Sequence, residues 1–261
     1  MPLSTIGGKN NLITMFLLIR QLRRKLLMEN NIQKYFLYAL GEIFLVVVGI
    51  LLALQIDNWN DERIQRNEEK ILISNLKDEF QENLLSLDDE IERLTYTRDG
   101  LIELLETLAN RPENFTSNDM DTLLQKSFIS PSWDPSSYVL TDLKNSGRLS
   151  TISNQRLKLQ LFDWERHYES LITSTENYRI YSVDYYRYIT KHGSIRNVDA
   201  LFEQNEISKS SLNISNLPLL EQPEFENNTS NFHSLTTNVL KKYSEARNKM
   251  TEIIAAADEV E

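Results

Sequence analysis

The sequence predicts an all-α protein: a single N-terminal transmembrane helix followed by a bundle of long helices with short capping helices. Three observations predict this fold class. One strongly apolar run covers residues 35–56, and apolar residues recur at steps of three and four over most of the remaining chain. No alternation of apolar and polar residues that would indicate a β-strand is sustained anywhere. Helices of this kind bury their apolar sides against one another.

The composition excludes several classes of function. The 261 residues carry 28 basic and 38 acidic side chains, three His and no Cys. Without Cys there are no disulfides, thiolate metal ligands or cysteine nucleophiles, and the net charge of −10 argues against a nucleic-acid partner. No G-x-S-x-G, His-Glu-x-x-His or paired Glu-x-x-His pattern is present. We therefore expect no metal, no cofactor and no enzymatic activity.

Residues 1–34 are predicted to form a basic cytoplasmic segment, in which Met15 is a plausible start of translation. The stretch 12–27 has an apolar side and an Arg/Lys side. Such a stretch either lies in the headgroup layer of an anionic membrane or serves only as a positive flank that fixes topology. Both readings remain open.

The run 35–56 is predicted to be the transmembrane helix. Its 22 residues would span about 33 Å as a helix, enough for a bilayer core. A buried helix of a soluble protein would keep a polar side, which this run lacks. The run is flanked by five basic residues before it (Arg20, Arg23, Arg24, Lys25, Lys34) and three after it (Arg63, Arg66, Lys70). This bias predicts a cytoplasmic N-terminus and an extracytoplasmic domain at 57–261.

Glu42 is the single ionisable residue of the predicted span, and it shares a helix side with Val46, Gly49 and Ala53. Because small residues let another helix approach and a carboxyl group can hydrogen-bond across the contact, these four predict a face for a transmembrane partner. The alternatives are that Glu42 reaches the inner headgroups or sits protonated, or that it carries protons in a motor or transporter.

A long helix is predicted over 61–109. From residue 84 its apolar residues follow alternating steps of three and four, with Arg98 at one position of this seam and Gly100 beside it. We expect a kink or a change of packing partner near 98–100. The helix could be one arm of an antiparallel bundle or part of a parallel coiled coil between chains. The seam comprises Leu84, Leu87, Ile91, Leu94, Leu101, Leu105 and Leu108.

Further helices are predicted at 119–128, 138–146, 154–191 and 230–257. Gly147 is expected to end the second of these in a left-handed conformation, and Ser153-Asn154 to begin the third. A loop with Trp133 between Pro131 and Pro135 precedes the helix at 138–146, and the polar stretch 193–229 reads as a loop with a short helix near 198–207. One side of the helix at 154–191 is predicted to be core: Leu157, Leu161, Trp164, Tyr168 and Leu171.

Two further patterns on that helix are candidate sites. Tyr178, Tyr181, Tyr185 and Tyr188 recur at steps of three and four, which predicts either a ligand groove or protein interface, or simple packing of the rings. Asp163 and His167 lie one turn apart and could pair, but the patterns of known metal sites are missing. We expect a packed or solvated histidine there.

Two blocks of the sequence carry a family resemblance: KLLMENNIQKYFLYALGEIFLVVVGILLALQIDNWNDERIQRNEE and SYVLTDLKNSGRLSTISNQRLKLQLFDWERHYESL. They resemble a family of uncharacterised Gram-negative bacterial single-pass inner-membrane proteins with a Gly-Glu-Ile-x-Leu-Val-Val-x-Gly-Ile span and an Asn-Trp-Asn exit. The resemblance implies inner-membrane residence and no known activity. It also implies a shared membrane anchor that includes Gly41, Glu42, Gly49 and the exit residues Gln55, Asn58, Trp59 and Asn60.

These observations together predict a membrane-anchored, non-catalytic scaffold or accessory subunit that binds membrane lipid and either another envelope protein or a second copy of itself. One alternative is a periplasmic helical sensor that binds a small ligand at the tyrosine stripe and signals through a partner. Another is a subunit of a proton-coupled motor or transporter that uses Glu42.

Overall fold

The computed structural model describes Gln21, residues 32–128 and residues 130–259. Within these residues there are six α-helices and no β-strand, which confirms the predicted all-α class with a long apolar N-terminal helix followed by a bundle. Apart from Gln21, the predicted cytoplasmic segment up to residue 31 and its amphipathic stretch at 12–27 lie outside the described residues.

The helices are α1 (Ile32–Ala109), α2 (Ser117–Lys126), α3 (Tyr138–Asn145), α4 (Gln155–His192), α5 (Ile195–Asp199) and α6 (Pro223–Asp258). Short 3₁₀ helices lie at Arg148–Thr151, Glu203–Asn205 and Leu217–Glu221. The chain divides into two compact units, Met1–Asn67 and Glu68–Glu261.

In the first unit, α1 is long and apolar enough to cross a membrane. It contains an 18-residue window with a mean hydropathy of 2.5, none of which is buried. The helix continues through Asp57, Asn58, Trp59 and Asn60, so the two ranges predicted as helices, 35–56 and 61–109, belong to one helix. The reason is that this stretch contains neither Pro nor Gly, the residues that interrupt helices.

In the second unit, three long helices surround one core: α1 from Glu68 onward, α4 and α6. The rings of Phe80 on α1 and Trp164 on α4 lie 5.4 Å apart, and those of Tyr178 on α4 and Phe232 on α6 lie 4.8 Å apart. Arg247 on α6 pairs with Asp88 on α1 at 2.6 Å. Each long helix therefore contacts the other two.

Contacts at the helix ends show how the three long helices are arranged. At one end Asn154 donates from its side-chain amide to the carbonyl of Ala256, and at the other the ring of Tyr188 stacks on Phe225, so α6 runs antiparallel to α4. Glu69 accepts a hydrogen bond from the backbone of Ser153, which places this part of α1 beside the start of α4. In this unit α1 thus packs against α4 and α6 of the same chain.

The seam of α1 has a different phase from the predicted one. The structure buries Asn83, Glu90, Thr97 and Leu104, whereas Leu84 and Ile91 are only half-buried and Arg98 lies off the seam. The fully buried apolar positions Leu87, Leu94 and Leu101 are common to both phases. The prediction failed because it counted only apolar residues, and three buried seam positions are polar.

Near 98–100, where a kink or a change of packing partner is expected, α1 continues as one helix and meets α2 at Gly100. A Cβ atom added at Gly100 would lie 2.5 Å from the Cβ of Lys126, far inside van der Waals contact. Gly100 therefore allows the end of α2 to approach the backbone of α1, and α1 passes through it as a continuous helix.

Local sequence explains where the other helices begin and end. Thr116 begins α2 with a capping box that involves Asp119, Asn154 begins α4, and Gly147 follows α3 with the expected left-handed conformation (φ 74°). The last helix starts at Pro223 and not at residue 230, because proline at the first position is already in helical geometry. The predicted short helix near 198–207 is replaced by α5 and a 3₁₀ turn.

Trp164 tests the core that joins the three long helices. It is 5% exposed and its ring meets those of Phe80, Trp133 and Tyr168. We expect Trp164→Ala to lower the free energy of unfolding by about 3–5 kcal/mol, because the removed indole leaves a cavity. Urea unfolding followed by circular dichroism measures it.

Leu85→Ala is the matched control, since Leu85 is 69% exposed on α1. We expect it to change stability by no more than about 0.5 kcal/mol. Equal losses for the two variants would contradict the proposed core.

Candidate functional site

The predicted transmembrane partner face lies on one side of α1. Glu42, Val46, Gly49 and Ala53 are all exposed, and a Cβ atom added at Gly49 would meet nothing within 4 Å. The helical spacing of four, three and four brings these residues onto one side. The face therefore has room for an approaching helix.

The predicted exit residues Gln55, Asn58, Trp59 and Asn60 are also exposed on α1. They occupy little more than one helical turn, so they share a level along the helix rather than one side. The side-chain carbonyl of Asn60 accepts a hydrogen bond from Arg63 at 3.3 Å. Trp59 presents a large, amphipathic ring at this level.

The predicted tyrosine stripe does not form one surface. Tyr178, Tyr185 and Tyr188 are buried between α4 and α6, whereas Tyr181 lies on another side of α4 and is 47% exposed. The Tyr185 ring stacks on Phe232 at 5.0 Å. Burial raises the pKa of Tyr185 to about 12, because its effect outweighs that of the hydrogen bond with Thr229, which lowers the pKa. The packing alternative therefore describes three of the four rings.

A row of polar side chains on α1 forms an extended polar contact in the second unit. Glu79, Asn83, Ser86 and Glu90, which we call the clasp, follow one another at steps of four, three and four residues. Glu79, Asn83 and Glu90 are buried. All four hydrogen-bond residues 132–136, the returning segment, which lies between α2 and α3 and runs back along α1 without regular secondary structure.

The clasp supplies the hydrogen bonds that the returning chain cannot make with itself. Glu90 accepts from the backbone N–H of Ser132 at 2.8 Å. The Asn83 amide accepts from the N–H of Ser136 at 2.8 Å and donates to its carbonyl at 2.7 Å. Pro131 and Pro135 have no N–H to satisfy. The N–H groups of Ser132 and Ser136 thus find acceptors on α1, and the two prolines between α2 and α3 need none.

Glu79 also begins α3. The N-cap residue Ser137 makes no side-chain cap, and the carboxylate of Glu79 instead accepts from the N–H of Val139 at 2.8 Å. A carboxylate at a helix N-terminus compensates the unpaired N–H groups and the positive end of the helix dipole. The clasp therefore fixes the position of α3 relative to α1.

Trp133 inserts from the clasped segment into the bundle. Its indole N–H donates to the hydroxyl of Ser86 at 3.0 Å, and its ring lies 5.8 Å from Tyr243 and 6.5 Å from Trp164. Edge-to-face arrangements of this kind add to the energy of burial. One tryptophan thus links the returning segment to both α4 and α6.

A small cavity of about 150 Å³ lies beside Trp133, with Tyr178 and Tyr243 in its wall and the Arg179–Glu176 ion pair among its lining residues. The hydroxyl of Tyr243 is buried without a hydrogen-bond partner. Burial and the charge of Glu90 raise the pKa of Tyr243, so this hydroxyl stays protonated at neutral pH and can donate a hydrogen bond. No pattern in the sequence predicts this cavity.

A larger cleft of about 460 Å³ is lined mainly by aromatic and small polar residues, among them Phe128, Tyr186, Phe202 and Asp199. Desolvation raises the pKa of Asp199. A second and more polar groove of about 740 Å³ lies between the end of α1 and α2 and includes Glu103 and Lys126, which pair at 2.7 Å. Both are open surface features.

His167 does not pair with Asp163 as the sequence allowed. Asp163 pairs with Lys249 and Arg166. The buried imidazole of His167 instead donates from Nε2 to the carbonyl of Lys242 at 3.0 Å, and its Nδ1 lies 3.7 Å from Glu245. Across residues 32–128 and 130–259, no group of three His, Asp or Glu side chains gathers in a way that could hold a metal ion.

The chain belongs to a family of unknown function, DUF6090, whose family model matches residues 42–189, more than half of the chain. The match begins at Glu42 in α1 and ends at Ile189 near the end of α4, so it includes the clasp and the segment that the clasp holds. No curated protein and no solved structure matches the chain.

Asn83→Leu tests the clasp. The variant keeps the side-chain volume but leaves the N–H and the carbonyl of Ser136 without their partner, so we expect the free energy of unfolding to fall by about 2–3 kcal/mol. Chemical denaturation measures the change. Gln81→Leu, on the exposed side of the same helix, is the control and should stay within about 0.5 kcal/mol of the wild type. A loss no greater than that of the control would contradict the role of Asn83.

His167 predicts a pH-dependent stability. Desolvation lowers its pKa in the folded state from the ordinary 6.5, and this outweighs the opposing effects of the Lys242 carbonyl and Glu245. The unfolded chain therefore binds this proton more readily than the folded chain does. The contribution of neutral His167 to the free energy of unfolding is complete above pH 6.5 and is lost as the pH falls below that value. We expect His167→Gln to flatten the fall in stability between about pH 7 and pH 5, measured by urea unfolding. Identical slopes in the two proteins would contradict this assignment.

Proposed function

We propose that this chain is a single-pass protein of a Gram-negative inner membrane that acts as a non-catalytic scaffold or accessory subunit and binds another envelope protein. The observation that carries the proposal is the apolar stretch of α1, whose 18-residue window is wholly unburied within the fold. Large apolar side chains exposed side by side along a helix require a covering, and lipid is the covering that fits this length.

The orientation follows from charge. Five basic residues, including the cluster Arg23, Arg24 and Lys25, precede the stretch, and three follow it. Because cytoplasmic flanks carry the excess of Lys and Arg, we place the N-terminus in the cytoplasm and the second unit in the periplasm. Trp59 then lies at the outer interface, where tryptophan is enriched. The resemblance of the span and exit sequences supports the same arrangement.

The partner face of the proposal is Glu42 with Val46, Gly49 and Ala53. A carboxyl group in hydrocarbon costs several kcal/mol unless it is paired, and the open space at Gly49 admits a close helix. The partner is either another envelope protein or a second copy. A ligand-binding sensor is less well supported, because three of its four candidate tyrosines are buried in the bundle.

The membrane assignment is tested by fractionation and protease treatment of cells that produce the full chain. We expect the chain in the membrane fraction, and protease added to spheroplasts should degrade the second unit. Recovery of the full-length chain from the aqueous extract, or a protected second unit, would contradict the proposal.

The partner face is tested by Gly49→Ile. We expect recovery of the partner after cross-linking in membranes to fall, because the larger side chain prevents the close helix contact. Val47→Ile, on another side of the helix, is the control and should leave recovery unchanged. Equal recovery from both variants would remove this face from the proposal.

Glu42→Gln separates scaffold from proton coupling. Glutamine keeps the ability to hydrogen-bond across a helix contact but cannot carry a proton. For a scaffold we expect the cross-linked complex and its cellular phenotype to persist together. An intact complex with a lost phenotype would favour the motor or transporter alternative.

A further inference from the structure

An acidic side chain without a partner lies in the larger cleft of the second unit. Asp199, the last residue of α5, lines this cleft of about 460 Å³ and is half-buried. Within the part of the chain that the structure describes, no hydrogen bond or opposite charge stabilises its carboxylate, and desolvation raises its pKa. Carboxylates that lose water normally gain a partner in exchange. The cleft therefore contains an uncompensated negative charge.

Aromatic rings form much of the wall around this charge. Four of them line the cleft: Phe128, Tyr186, Phe202 and Phe232. Tyr186 is exposed and Phe128 and Phe202 are half-buried, so these three present ring surface to the cleft. The rings of Phe128 and Tyr186 lie 5.7 Å apart and are inclined at 72°, which makes them two walls of a corner. Desolvation and the charge of Asp199 raise the pKa of Tyr186, so the carboxylate acts on this wall.

Two hydrogen bonds hold the elements of the cleft together. The side-chain amide of Gln125 donates to the carbonyl of Leu201 at 2.8 Å, which joins α2 to the turn that follows α5. The side-chain amide of Asn205 donates to the backbone carbonyl of Asp199 at 2.9 Å and closes the loop between these two residues. Because this bond uses the backbone of Asp199, its side-chain carboxylate stays available. The cleft is thus formed without a ligand, as small-molecule sites usually are.

We propose that this cleft binds an organic ammonium cation that carries apolar groups on its nitrogen, such as a quaternary ammonium. The carboxylate of Asp199 supplies the opposite charge, and the rings of Phe128 and Tyr186 attract a cation through their negative faces. No Lys or Arg of the described residues lines the cleft, so no basic side chain of its wall repels a cation. The volume of about 460 Å³ is in the range of small-molecule sites.

The same features argue against other ligands. An anion would be repelled by Asp199, and a neutral ligand would leave its charge desolvated. A bare metal ion needs several oxygen or nitrogen ligands, and no group of three His, Asp or Glu side chains gathers in the described residues. The site lies within the second unit and uses none of the four stripe tyrosines, so its test depends on neither the membrane anchor nor the Glu42 face.

Choline tests the site in the full-length chain, purified in an uncharged maltoside detergent because zwitterionic detergents carry ammonium groups themselves. The matched neutral ligand is the alcohol in which a carbon atom replaces the nitrogen of choline, and sodium chloride keeps the ionic strength constant. We expect isothermal titration calorimetry to show saturable binding of choline, at least about tenfold tighter than binding of the neutral alcohol. Equal affinities, or no binding of choline, would overturn the proposal.

Asp199→Asn removes the charge of the cleft and keeps the shape of the side chain. We expect it to weaken choline binding by at least about tenfold, because the cation loses its counter-charge in a partly desolvated site. Asp89→Asn, at an exposed position of α1, removes the same charge elsewhere and should bind choline like the wild type. Equal affinities of the two variants would overturn the assignment of Asp199.

The aromatic wall is tested at Tyr186. Tyr186→Leu removes the ring and should weaken choline binding by about fivefold, whereas Tyr186→Phe keeps the ring and should bind like the wild type. Tyr181→Leu is the control, since Tyr181 is exposed on another side of α4. If Tyr186→Leu binds choline as tightly as Tyr181→Leu does, the aromatic part of the proposal is wrong.

Glycerophosphocholine distinguishes two sources of the same cationic group. Tighter binding of glycerophosphocholine than of choline would assign the site to a lipid headgroup, and equal or weaker binding would assign it to a free cation. Either result supports a cation site at Asp199, and the absence of binding by both compounds would overturn it.

Discussion

The returning segment between α2 and α3 imposes the main constraint on the second unit, because a chain without helix or strand that packs along a helix must find partners for its backbone. Three buried side chains of α1, Glu79, Asn83 and Glu90, provide those partners. Leaving these groups unpaired would cost the desolvation energy of each one. The clasp thereby determines where α3 begins, and α3 in turn leads the chain to the start of α4.

The clasp also explains why polar residues occupy buried positions of α1. Polar residues at seam positions of a helix destabilise helix–helix packing, and here the neighbour at these positions is an extended segment rather than a helix. The same segment carries Trp133 into contact with Trp164 and Tyr243, so polar and aromatic contacts support each other. The family match spans α1 from Glu42, the segment and most of α4, so it includes the clasp and the contact of Trp133 with Trp164 but not Tyr243.

Two helix faces remain exposed, and their chemistry differs. The face of α1 between Phe36 and Ile56 is apolar almost throughout, which suits lipid with one polar contact at Glu42. The outward face of α4 carries exposed apolar residues at both ends of a charged centre around Arg166 and Glu176.

Periodicity and composition by themselves determined that the chain is helical, that one stretch is long and apolar enough to span a membrane, and that Trp164 is core. Local signals such as Asn154 and Gly147 sufficed for helix ends because capping involves only neighbouring residues. Only the tertiary structure decided that α1 buries Asn83 and Glu90 and that Tyr181 is separate from the other tyrosines. A polar side chain can be buried when a distant backbone satisfies it, and that partner, 53 residues away for Asn83, is invisible to helical periodicity.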